Sequence, residues 1–139
     1  KTYITMSLIN KTAVSLEEKL KKAENEYNSS KIHLDNVEKK VEELKNEGRI
    51  NDAIFAAKIA TVFSSECNYL HACIVELKES IATGVEDTAY GLSYVTKEII
   101  RQGFAQLVVE DYQLYNQIVG CKIVEEDLIT IKRFAEGKK

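Results

Sequence analysis

Residues 6–44 read MSLINKTAVSLEEKLKKAENEYNSSKIHLDNVEKKVEEL. Apolar side chains recur in this stretch at Met6, Ile9, Ala13, Leu16, Leu20, Ala23, Tyr27, Leu34, Val37, Val41 and Leu44, spaced alternately three and four apart once Ser30 is counted with them. Ser30 alone breaks the apolar character. A stripe of period 3.5 held over several heptads requires a long helix whose seam packs against another helix. The fold class follows from this: all-α, built on long helices.

Outward from that stretch, the absence of proline leaves nothing to remove a helical hydrogen bond, so glycine becomes the punctuation. Gly48 and Gly84 each close an apolar helical stretch where a left-handed C-terminal cap is wanted. The first helix is therefore expected over about 7–47, with residues 1–6 as its start or a disordered lead. Ser15 with Glu18 fits a capping box, although the stripe runs upstream of it.

A second helix, capped by Asn51, is expected over about 51–83, with its seam at Ala53, Ala56, Ala60, Phe63, Cys67, Leu70, Ile74, Leu77 and Ile81. Ile50, Ile54, Ala57, Ile59, Val62 and Cys73 widen the apolar surface, as expected for a helix with more than one neighbour. The short connection at Gly48 makes helices one and two an antiparallel hairpin. A third helix is expected over about 86–119, with Gly91 and Gly103 marking close contacts or a bend. Val124, Leu128, Ile131 and Ala135 place a short fourth helix at about 121–136 if the chain breaks at Gly120. Helices near forty residues would be about 60 Å long. The expected architecture is a single domain, residues 1–139, forming an elongated antiparallel bundle of three long helices with that short fourth.

The composition, 45% hydrophobic and 29% charged with a net charge of −3, provides no global field to hold nucleic acid or an anionic membrane. No apolar run approaches the length of a membrane span. Three cysteines, Cys67, Cys73 and Cys121, are an odd number without CxxC spacing, which argues against a disulfide framework and for a reducing, cytoplasmic setting.

The segment Glu42-Glu43-Leu44-Lys45-Asn46-Glu47-Gly48-Arg49-Ile50-Asn51-Asp52-Ala53-Ile54, followed by Ala56, Ala57 and Ala60, resembles the helix-glycine-helix junction of tetratricopeptide repeats and of nucleotide-binding HEPN domains. The likeness covers one hairpin turn. No thirty-four-residue repeat follows it. The RNase branch of the HEPN family needs an arginine with a histidine a few residues later, and none follows Arg49 or Arg101. What the resemblance implies is a HEPN-like fold without nuclease activity.

The sequence offers no catalytic constellation and no cofactor motif: it contains no glycine-rich phosphate loop, no GxSxG and no HExxH. Cys67 and His71, four apart on one helical face, could begin a zinc site, but a closed shell needs further ligands and a buried cysteine is more often an apolar filler. His33 flanks the first seam, an ordinary place for a partly exposed polar residue. Tyr90 with Tyr94, Tyr112 with Tyr115, and Arg101 are the candidate interaction residues, since aromatic rings anchor partners or line pockets while their hydroxyls reach water or ligand.

The heptad flanks also permit self-association. A parallel pair of first helices would oppose Lys19 with Glu24, Glu26 with Lys31 and His33 with Glu38, against one unfavourable Lys40/Lys45 pair. The functional expectation is a non-enzymatic protein acting through protein–protein contact, with itself or another protein, as scaffold, adaptor or regulator. The alternative is a helical binder of a small ligand or nucleotide.

Overall fold

The structure is a computed structural model that describes the backbone of residues 2–84 and 90–137, and the side chains of 16–84 and 95–137. It is an all-α bundle: α1 (Thr2–Asn46), α2 (Ile50–Thr83), α3 (Tyr90–Glu110), α4 (Tyr112–Val119) and, after a 3₁₀ turn at Glu125–Asp127, α5 (Leu128–Ala135).

The hairpin of α1 and α2 is the main packing unit. Its seam buries Ala23, Ser30, Leu34, Val37, Val41 and Leu44 of α1 against Ala53, Phe55, Ala56, Ile59, Phe63, Cys67 and Leu70 of α2. The register is antiparallel: Tyr27 meets His71, Ser30 meets Glu66 and His33 meets Phe63. Gly48 makes the reversal with φ +77°, a left-handed value that costs glycine no Cβ clash. The Arg49 N–H then closes the end of α1 by donating to the Leu44 carbonyl at 2.8 Å. Gly84 ends α2 in the same left-handed conformation, its N–H donating to the Ser80 carbonyl.

Of the two readings of residues 1–6, the structure has the helix start: α1 begins at Thr2 and Ser15 is interior, because neither glycine nor proline interrupts the stripe upstream. Several other boundaries differ from the sequence reading. Asn51 lies inside α2; Arg49 occupies the cap position without a side-chain cap, and its guanidinium instead pairs with Asp52 at 2.8 Å. The helix expected over 86–119 is divided. Asp111 takes an extended conformation (φ −160°, ψ 86°), and its carboxylate accepts from the Leu114 N–H, starting α4. The expected start of the third helix, 86–89, lies outside the described residues. The fourth helix expected over 121–136 shortens to α5, since residues 121–124 leave Gly120 in non-helical backbone.

That non-helical strap is tied down by Asn116, whose side-chain amide donates to the Ile123 carbonyl at 2.8 Å and accepts from the Ile123 N–H at 3.0 Å. Tyr115 and Ile118 of α4 close one end of the core with Leu107 and Val108 of α3. Helix α5 returns along α3. On the exposed face of α1 the close ion pairs among the described residues are Lys31–Asp35, Lys40–Glu43 and Lys45–Glu42. Among the described residues, no helix is long and apolar enough to cross a membrane.

Candidate functional site

Helix α2 packs against α1 on one side and α3 on another, while α1 and α3 make no close backbone contact with each other among the described residues. Two depressions result, one on each side of the α2–α3 contact.

The first is a cleft of about 260 Å³ between α1 and α3, floored by α2. Glu26, Ser29 and Ser30 come from α1, Glu66, Tyr69 and Leu70 from α2, and Lys97, Ile100 and Arg101 from α3. Ser30, the one polar residue in the α1 stripe, is buried, and its hydroxyl donates to the Glu66 carboxylate. A buried hydroxyl requires such a partner, and this one fixes a carboxylate at the cleft floor. The Tyr69 phenol is pushed above its ordinary range by burial and by its hydrogen bond to Cys73. Arg101 is at the rim, paired loosely with Glu98 at 3.7 Å.

The second is a larger groove of about 610 Å³ between α2 and α3, lined by Thr61, Val62, Ser65, Asn68, Tyr69, Thr96, Ile99, Ile100 and Gly103. It is mainly apolar for a physical reason. The Thr61 and Ser65 hydroxyls donate to the carbonyls of Ala57 and Thr61, one turn back, which satisfies them within their own helix. On its α3 rim, Val95 and Ile99 are 54% and 62% exposed, one helical turn apart. Gly103 allows α2 and α3 to approach; a Cβ there would meet the Val62 methyls at 3.5 and 3.6 Å.

The interaction residues expected from sequence are dispersed. Arg101 lines the cleft. Tyr115 is a core residue, 7% exposed, with its phenol pushed up by burial, and it offers no face to a partner. Tyr112 is half-buried against the same core. The side chains of Tyr90 and Tyr94 lie outside the described residues. Cys67 is buried in the α1–α2 seam, where burial first and the Glu66 charge second push its thiol up and keep it protonated. His71 is exposed beside the Tyr27 ring. No group of three or more potential metal ligands gathers among the described residues. His33 stacks on Phe63, which in turn meets Phe104 edge-on.

The sequence reading did not place Tyr69, Glu66 or Lys97 at a site, and it treated Glu26 only as a heptad flank. The available signal was Ser30: a hydroxyl at a seam position calls for a polar partner on the facing helix. The antiparallel register brings Glu66 there.

Compared with family models, curated proteins and solved structures, the chain matches none.

Proposed function

We propose that this chain is a non-enzymatic helical-bundle protein that works by protein–protein contact, including contact with itself, through the α2–α3 groove. The observation that carries this reading is the continuity of the apolar groove with the exposed Val95 and Ile99. Removing such a patch from water is worth roughly 25 cal/mol per Å² of apolar area. Large side chains left exposed beside a groove are what an interaction site presents. Three free cysteines accord with work in a reducing, cytoplasmic setting.

The test is the absolute mass by light scattering across a dilution series, for the natural chain and for Ile99→Glu. The natural chain is expected to form a dimer or larger particle, and Ile99→Glu to be monomeric with unchanged helicity. A natural chain that stays monomeric at every concentration overturns self-association.

A second reading, binding of a small ligand, is favoured by the α1–α3 cleft, where polar and charged side chains from three helices converge on one concavity.

A further inference from the structure

The charges in the α1–α3 cleft are arranged by wall. Helix α1 contributes Glu26 and α2 contributes Glu66, while α3 contributes Lys97 and Arg101, four residues apart and therefore on one helical face. Two carboxylates thus face two cations. Neither Glu26 nor Lys97 is paired: both are half-buried, and neither enters an ion pair among the described residues. Tyr69 and Ile100 supply aromatic and aliphatic surface between the walls.

A lining of this kind has no net charge. A simple anion attracted to Lys97 and Arg101 is opposed by Glu26 and Glu66, and a simple cation meets the reverse. A molecule carrying both charges is attracted at both ends and repelled at neither. At about 260 Å³ the cleft lies below the roughly 300–1,000 Å³ of sites that enclose drug-sized ligands, so its occupant is small and a nucleotide would overfill it.

We infer that the α1–α3 cleft binds a small zwitterion, an amino-acid-like molecule whose ammonium faces Glu26 and Glu66 and whose carboxylate faces Lys97 and Arg101. The Ser30 hydroxyl holds Glu66 at the floor, and the Tyr69 ring supplies a neutral surface for the carbon chain. This inference rests on the small-ligand reading and is independent of the groove.

The experiment is calorimetric titration of the natural chain with glycine, 4-aminobutyrate and 6-aminohexanoate, which span increasing charge separation, and with butyrate and butylamine, which each carry one charge. At least one zwitterion is expected to bind, shifting backbone amide resonances of Ser29, Tyr69 and Ile100. Glu26→Gln and Lys97→Gln, both at half-exposed positions, are each expected to weaken it about tenfold, the loss of one charge-assisted contact. Butyrate or butylamine binding as tightly as any zwitterion overturns the zwitterion inference and leaves the small-ligand reading standing. No binding by any of the five, or resonance shifts confined elsewhere, overturns the inference and removes the cleft's support for that reading.

Discussion

The Asp111 carboxylate accepts a hydrogen bond from the Leu114 backbone N–H at 3.1 Å. This contact separates α3 from α4 by satisfying an N–H that the new helix would otherwise leave orphaned. Asp111→Ala is expected to cost about 1 kcal/mol and lower the melting temperature by about 3–5 °C, measured by circular dichroism. Asp111→Asn keeps the acceptor and is expected to melt within about 1 °C of the natural chain, consistent with asparagine and aspartate being comparable caps.

Ile59 is fully buried between α1 and α2, whereas Ile54 on the same helix is 53% exposed. Ile59→Ala removes packed methyl groups and leaves a cavity, and is expected to cost roughly 2–5 kcal/mol in urea unfolding. Ile54→Ala is expected to stay within about 0.5 kcal/mol. Equal effects at the two positions would contradict the assigned face of α2.

Asn116 makes both hydrogen bonds that hold the strap at Ile123. Asn116→Ala is expected to destabilise by about 1–3 kcal/mol, because the strap loses both partners at once. Hydrogen exchange at the Ile123 amide is expected to accelerate more than exchange at Ile59, which separates release of the strap from global loosening.

Gly103→Ala discriminates between stability and association. The added methyl meets Val62 at ordinary contact distance and removes a helix-interior glycine, so the variant is expected to be more stable by about 0.5–1 kcal/mol. The same methyl enters the groove. Weaker self-association in a more stable protein, read by light scattering and thermal melting on the same samples, is the expected pair of results.

Burial raises the Tyr115 phenol above its ordinary pKa of 10.0. The native state therefore holds this proton more tightly than the unfolded chain. The resulting stability is fully present below about pH 10 and is lost as pH climbs from there through the folded value. Urea midpoints measured at pH 8 and pH 11 are expected to fall less for Tyr115→Phe than for the natural chain.

The helices were legible in the sequence because packing imposes a period, and from Ala23 to Leu44 the seam residues are those the period selects, Tyr27 being only half-buried. The break at Asp111 was hidden by the same regularity. Val108 and Tyr115 are seven apart, so the apolar spacing runs across the interruption, and the local capping bond leaves no trace in periodicity. On α2, Ile81 was read as a seam residue, but Ser80 is buried there and Ile81 is exposed. The cleft was illegible for another reason: Glu26, Glu66 and Lys97 belong to three helices, and only tertiary packing brings them to one concavity.

Tyr69 and Ile100 line both the cleft and the groove. They form a party wall: a side-chain rotation that enlarges one room narrows the other. Were the proposed ligand to fill the cleft and a second copy the groove, any factor by which one changed the affinity of the other would be returned in equal measure.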